Sequence, residues 1–330
     1  MIDFRTKVEL PVSELNISYS DRMMLLGSCF SENIGKMLVD SKFSCDVNPF
    51  GILYNPLSIA SALDDMLRCR TYTEDDWELF ETDCWHSYMH HSRFSASTQS
   101  ECLELINGRL HEASENLKSL DCLLITFGTA WVYRLASNGC VVANCHKQPD
   151  KLFCRELLTV DEIVREYATL IERLLRLRPS LQILFTVSPI RHIKDGLHGN
   201  QISKSVLLLA VDRLCVLYPC CHYFPSYEIL MDELRDYRFY ADDMFHPSSL
   251  SISYIWQCFC QTYFSSETMQ TMAECQEIAK AISHRPFRPD SLQYKRFLTQ
   301  IVLKINRLIE KCPTLDFKNE LEICHTRLKP

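Results

Sequence analysis

The sequence lacks several features that mark particular classes of protein. It has no uninterrupted apolar run of about eighteen residues, the length a membrane-spanning helix needs, and it does not begin with a signal-peptide-like apolar segment. It also has no C-x-x-C pair, although 17 cysteines are spread along its 330 residues. We therefore predict a reduced, soluble, cytoplasmic protein whose cysteines are mostly small buried hydrophobic residues.

Basic runs and phosphate-binding motifs are missing as well. The formal net charge is -7 at pH 7, and no local cluster of lysine and arginine compensates for it, so we expect no nucleic-acid partner. No glycine-rich motif of the P-loop or Rossmann type is present, and no group of cysteines and histidines has a standard zinc spacing. We expect no cofactor and no bound metal.

The order of apolar runs and amphipathic segments predicts the fold class. Apolar runs that end at glycine or at turn residues predict strands, and segments with helical periodicity follow most of them. The expected strands are 23–26, 122–127, 182–187 and 221–224, with helices at 31–40, 56–68, 101–117, 160–177, 203–217 and 227–235 and hairpins at 76–94 and 130–143. Strands that alternate with helices predict an α/β protein with a mostly parallel central sheet.

The first candidate for chemistry is Gly27-Ser28-Cys29-Phe30, which directly follows the first expected strand. Ligands of such sheets bind beyond the carboxyl ends of the strands. A helix that begins here would stabilise an anion, and a helix N-terminus lowers the pKa of a thiol, which favours a nucleophile at Ser28 or Cys29. The alternative is that glycine and serine only form the turn between strand and helix.

The second candidate is the pair Asp243 and His246, which follows the last expected strand. An aspartate three residues before a histidine can hold the imidazole while its other nitrogen faces a nucleophile. The same spacing occurs at Asp83/His86 and Asp195/His198. The late position, with Pro247 after it, favours Asp243 and His246; the alternative is a capping aspartate beside a surface histidine.

Taken together, these segments resemble the GSCFA family, whose G-S-C-F-[AS] motif stands here as Gly27-Ser28-Cys29-Phe30-Ser31. Further stretches resemble it in the same order: 126–133, 144–147, 188–192, 203–204, and 234–240 leading into Asp243 and His246-Pro247-Ser248. The likeness covers residues 20–265 and implies a catalytic domain over 1–265, with a C-terminal helical extension over 266–330 packed on the same domain.

The resemblance implies an SGNH-type fold, a three-layer α/β/α sandwich of flavodoxin-like form, with ester hydrolysis or acyl transfer by a Ser-His-Asp triad. The G-D-S motif of SGNH hydrolases, laid on Gly27-Ser28-Cys29, puts Cys29 in the place of the catalytic serine. Ser28 remains a near-equal candidate. His246 would be the general base and Asp243 its orienting partner.

The same resemblance leaves the oxyanion donors open, because the G-x-N-D motif of SGNH hydrolases corresponds here to Gly128-Thr129-Ala130-Trp131, without asparagine. The candidate donors are the N–H groups of the nucleophile's own turn and of Gly51, with Thr129 or Asn144 as a side-chain donor. The residues that could form a rim and orient an anionic or sugar substrate are Asn144, His146, Lys147, Arg191 and His192. The alternative for Arg191 and His192 is that they cap strand ends or pair with nearby acids.

We therefore expect an enzyme that hydrolyses O-acyl esters through an acyl-enzyme, with a small molecule or an acylated carbohydrate as its substrate. One alternative is an acyltransferase that uses the same triad but passes the acyl group to a sugar hydroxyl. Another is a binding protein that keeps the SGNH scaffold without turnover, because fold alone does not confer function.

Overall fold

The computed structural model describes residues 5–284, 286–287 and 291–329. The strands are β1 (Arg22–Gly27), β2 (Ser44–Val47), β3 (Leu79–Glu81), β4 (Trp85–Ser87), β5 (Cys122–Phe127), β6 (Trp131–Leu135), β7 (Val141–Val142), β8 (Phe153–Leu157), β9 (Gln182–Val187) and β10 (Cys221–Phe224). The helices are α1 (Cys29–Asp40), α2 (Pro56–Leu67), α3 (Gln99–Lys118), α4 (Val160–Leu177), α5 (Gly196–Leu217), α6 (Ser226–Glu228), α7 (Ser249–Tyr263), α8 (Ser266–Ser283), α9 (Leu292–Lys311) and α10 (Lys318–Leu328).

The central sheet has the order β10-β9-β5-β1-β2, and each neighbouring pair is parallel. The chain runs outward from β1 to β2 and then returns to the other side of β1 with β5. The order therefore reverses between β1 and β5, and the crevice at such a switch point is where α/β sheets bind ligands. The register pairs Gly27 with Thr126, so the ends of both strands lie side by side there.

Two apolar clusters cover the two faces of this sheet. Met24 and Leu26 pack with helices α2 to α5 on one face. Met23 and Leu25 alternate with them and pack with α1 and α7 to α10 on the other. The α/β fold with helices on both faces of a parallel sheet and further C-terminal helices is therefore confirmed. None of the helices in the described part of the chain is both long and apolar enough to cross a membrane.

Helix starts follow from local sequence. Asn55 caps α2 by accepting a hydrogen bond from the Ser58 N–H at 2.8 Å, with Pro56 in the first helical position, as expected. Thr159 and Glu162 form a reciprocal capping box at α4. These caps fix where the loops at the carboxyl edge of the sheet end.

The structure differs from the expectation at four elements, two that were missed and two that were expected with other bounds or form. The strands β2 and β8 were not predicted. Helix α5 begins at Gly196, seven residues before the predicted start at 203. The predicted helix over 227–235 is instead one turn of α6 followed by a π-helix at Ile229–Glu233.

Candidate active site

One pocket of about 710 Å³ lies at the carboxyl ends of β1, β5 and β9. It brings together segments that are far apart in the sequence. The predicted site residues that line it are Ser28, Cys29, Thr129, Asn144, Arg191, His192, Asp243 and His246. The switch point of the sheet is thus the place where most of the predicted residues meet.

The turn after β1 gives Ser28 and Cys29 different surroundings. The side chain of Ser28 is only 2% exposed, and its Oγ caps α1 by accepting the Phe30 N–H at 3.3 Å. Cys29 is the first residue of α1, and its Sγ lies 3.7 Å from the hydroxyl of Tyr54. The serine hydroxyl therefore stabilises the helix start, whereas the thiol is half-buried and faces the pocket wall.

Asp243 and His246 form a hydrogen-bonded pair that also lines the pocket. Asp243 Oδ2 lies 2.6 Å from His246 Nδ1, and Asp243 Oδ1 accepts the N–H groups of Phe245 and His246, each at 2.9 Å. These hydrogen bonds lower the pKa of Asp243 to about 2, and the bond from the His246 N–H has the largest effect. A carboxylate only accepts, so Nδ1 carries the proton and Nε2 is left free as an acceptor.

The two other pairs with the same spacing place no histidine in the pocket, although Asp195 itself lines it. His86 is on the β3–β4 hairpin, where its Nδ1 bonds Ser95 Oγ at 2.7 Å. Asp195 forms an ion pair with Arg155 instead of contacting His198. Neither His86 nor His198 lines the pocket. Of the three pairs, Asp243/His246 is the one whose two residues both line the pocket.

The backbone N–H groups of three predicted site residues are already bonded. The N–H groups of Gly128 and Thr129 donate to the carbonyl of Tyr54 at 2.8 and 3.0 Å. The Gly51 N–H donates to the Asn48 carbonyl at 2.8 Å, and Gly51 does not line the pocket. These backbone groups hold loops together, so the structure does not offer them to an oxyanion.

His146 is also placed differently from the prediction. Its Nε2 lies 2.8 Å from the carbonyl oxygen of Ser87 and 3.1 Å from that of His90, and it does not line the pocket. Its neighbour Asn144 does line the pocket. Asn144 Oδ1 accepts the His146 N–H at 2.9 Å, which leaves the Nδ2 amide as the group that can reach a ligand.

His192 and Arg191 form part of the pocket wall. Burial is the main reason that the pKa of His192 falls to about 4, and the charge of the nearby Lys204 adds to the effect. The imidazole is therefore neutral at pH 7. In the part of the chain that the structure describes, neither of its ring nitrogens has a hydrogen-bond partner. The guanidinium of Arg191 lies 4.7 Å from the ring centroid of Tyr240 and is held against this wall.

A buried lysine lies beneath the pocket. Lys204 is 1% exposed, and its Nζ donates to the carbonyls of Gly128 and Ser188, at 2.6 Å each. Gly128 and Ser188 directly follow β5 and β9, so one side chain joins the two strand ends that form the pocket floor. No carboxylate pairs with it among the described residues. The sequence pattern indicates that Lys204 is buried, because it falls on the same helical face as the buried Leu207 and Val211.

We predict that Lys204→Met lowers the free energy of unfolding by about 3 kcal/mol, because two buried carbonyls lose their donor. Burial lowers the pKa of Lys204 to about 7. Between this value and the pKa of an exposed lysine, about 10.4, the unfolded chain holds a proton that the folded protein lacks. The stabilising contribution of Lys204 should therefore grow from pH 7 to pH 10, by at most about 1.4 kcal/mol per pH unit.

Urea titrations of both proteins at several pH values measure this difference. The matched control is Lys36→Met, which replaces an exposed lysine of α1 and should change stability by less than about 0.5 kcal/mol at any pH. A Lys204→Met protein as stable as the wild type across this range would contradict the assignment.

A cluster that could hold a metal ion lies at the β3–β4 hairpin. Asp83, Cys84 and His86 have potential ligand atoms within 4.8 Å of one another. Asp83 is exposed, and none of the three lines the pocket. The cluster therefore supplies nothing to the site around Cys29.

Comparison with known proteins gives two matches to family models. The model described as the GSCFA family matches residues 22–259, and the one described as "GSCFA domain protein, C-terminal domain" matches residues 275–330. A solved structure described as "a putative platelet activating factor from Streptococcus pneumonia" is similar at 11% identity, with a TM-score of 0.38, over 76% of this chain and 85% of that chain. No protein with a curated description matches.

Proposed function

The chain belongs to the GSCFA family, and from the geometry of its pocket we propose that it is an SGNH-type hydrolase of O-acyl esters. One observation carries the proposal. His246, with Nδ1 held by Asp243 at 2.6 Å and Nε2 free, lines the same pocket as Cys29 at the start of α1. A nucleophile, a base and the group that orients the base are the components that covalent acyl transfer needs.

In the proposed reaction the Cys29 sulfur attacks the ester carbonyl carbon while His246 Nε2 takes the thiol proton. Asp243 stabilises the imidazolium that forms. The tetrahedral intermediate collapses, the bond to the alcohol oxygen breaks, and His246 returns the proton to that oxygen. Water then attacks the thioester with His246 again acting as base, which releases the acid and restores the thiol.

Two groups could donate hydrogen bonds to the carbonyl oxygen when it becomes negatively charged during the reaction. The Cys29 N–H opens α1 and has no intrahelical acceptor, and it lies at the positive end of the helix dipole. The neutral His192 ring can donate a second hydrogen bond from the pocket wall. A buried neutral imidazole can do this because it keeps one N–H without carrying a charge. His192 would thus replace the asparagine missing after Gly128.

Cys29 is the better nucleophile candidate. Ser28 is buried and its hydroxyl accepts the Phe30 N–H at 3.3 Å. An attack by Ser28 would break the cap of α1, at a cost of about 1 kcal/mol. The Cys29 thiol does not cap the helix, so it can attack without that cost.

The test is hydrolysis of p-nitrophenyl acetate by the wild type, Cys29→Ala and Ser28→Ala. We expect Cys29→Ala to lose at least about a thousandfold in kcat/KM. Ser28→Ala should keep its rate within about tenfold and lose about 1 kcal/mol of stability with its helix cap.

The reverse result, an active Cys29→Ala and an inactive Ser28→Ala, would move the nucleophile to Ser28. No turnover by folded wild type would contradict ester hydrolysis. Product formation that appears only after a sugar is added would instead identify an acyltransferase.

A further inference from the structure

Two buried polar atoms without partners lie in residues that line one side of the pocket. They are the indole Nε1 of Trp131, at the start of β6, and the carboxylate Oδ2 of Asp195, in the turn before α5. Neither has a hydrogen-bond partner in the described part of the chain. Buried donors and acceptors are rarely left unpaired, because each costs about 1–3 kcal/mol, so such atoms in a pocket wall point to a ligand.

Arg155 connects the two residues. Its guanidinium lies 4.3 Å from the ring centroid of Trp131, and one of its nitrogens pairs with Asp195 Oδ1. The Asp195 side chain is only 1% exposed, and this ion pair fixes one carboxylate oxygen while the other, buried Oδ2, has no partner among the described residues. Trp131 and Arg155 lie on the neighbouring strands β6 and β8, which keeps this wall rigid.

The hydrogen-bonding roles of these two unpaired atoms indicate which kind of ligand group could pair with them. Trp131 Nε1 can only donate, and Asp195 Oδ2 accepts. A hydroxyl group both accepts and donates, so it can pair with either atom. A ligand anion would meet the carboxylate of Asp195, and a ligand cation would meet the guanidinium of Arg155. The wall therefore favours a neutral hydroxylated molecule.

We propose that Trp131, Arg155 and Asp195 form a hydroxyl subsite that binds the alcohol part of a polyhydroxylated ester, such as a monoacylated sugar. The inference rests on the proposed function for the position of the ester at Cys29. The aromatic side chains of Tyr54 and Tyr133, which also line the pocket, suit the apolar faces of a sugar ring. The free Nδ2 of Asn144 adds a further donor to a hydroxyl or ring oxygen.

The kinetic test compares two acetyl esters: monoacetylated methyl glucoside and cyclohexyl acetate, which has a ring but no hydroxyl groups. The wild type should prefer the sugar ester in kcat/KM. Asp195→Asn should reduce that preference about tenfold to a hundredfold and Trp131→Phe about fivefold, because the loss falls on the sugar ester more than on cyclohexyl acetate. Matched controls are Asp161→Asn and Trp77→Phe, which change an exposed aspartate and a surface tryptophan. Equal losses on both substrates, or no loss, would overturn the subsite.

A binding measurement separates failure of the subsite from failure of the proposed function. Methyl glucoside, which carries no ester, should bind to the wild type in saturation-transfer NMR, and the signal should fall in Asp195→Asn and Trp131→Phe. If the protein binds methyl glucoside in this way but hydrolyses neither ester, the proposal of an esterase is refuted and the proposal of a hydroxyl subsite is retained. Cleavage of both esters at equal rates with no glucoside binding would retain the esterase and refute the subsite.

Discussion

Replacing His246 with alanine is expected to lower kcat/KM for a short-chain ester by about four orders of magnitude, because the residue acts in both acylation and deacylation. Asp243→Asn should have an effect of similar size. Asparagine would keep the geometry, but its amide would donate to Nδ1 and place the ring proton on Nε2, where the nucleophile needs an acceptor. Steady-state hydrolysis of p-nitrophenyl acetate by each variant measures both effects.

The matched control for this prediction is His86→Ala. His86 also follows an aspartate by three residues, at Asp83, but it belongs to the β3–β4 hairpin and does not line the pocket. Its loss should leave the rate within about twofold of the wild type. Wild-type activity in His246→Ala, or inactivity in His86→Ala, would show that the base has been misassigned.

Gly27→Ala is expected to destabilise the protein by at least about 4 kcal/mol, the combined effect of backbone strain and a clash in a packed sheet. Gly27 has a φ of +145°, which side-chain-bearing residues rarely adopt. A Cβ added there would lie 2.3 Å from the Thr126 carbonyl oxygen and 2.8 Å from Thr126 Cβ. Relief requires β1 to move away from β5, which would also shift Ser28 and Cys29. Urea denaturation measures the loss.

Gly108→Ala is the control for Gly27→Ala. Gly108 lies inside α3, and a Cβ there would have no neighbouring atom within 4 Å. Alanine should therefore stabilise the protein by about 0.5–1 kcal/mol through its higher helix propensity. Equal urea midpoints for Gly27→Ala and the wild type would mean that the strand end is not constrained as described.

The central strands could be predicted because they are buried on both faces. Strands β5 and β9 are continuous apolar runs, and their predicted and observed bounds agree. Strand β2 was missed because it lies at the sheet edge, where polar residues such as Ser44 are exposed. The early start of α5 was missed because Gly196 and Gly199 disfavour a helix by local propensity.

The site could be predicted in outline because several of its residues follow the ends of strands. Sequence gives the position of such a residue but not its tertiary hydrogen bonds. That is why Gly51 and His146 were expected at the site, although they bond Asn48 and the Ser87 carbonyl instead. The pairing of Arg155 with Asp195 likewise depends on two segments far apart in sequence.

The most direct test of the central claim is to locate the acyl group on the enzyme. Wild-type protein mixed with p-nitrophenyl acetate, quenched in acid and digested, should carry one acetyl group on the peptide that contains Cys29. Neutral hydroxylamine should remove it, as it removes thioesters, and Cys29→Ala should lack it. A hydroxylamine-resistant acetyl group on Ser28, or ester hydrolysis without any adduct on this peptide, would contradict the account.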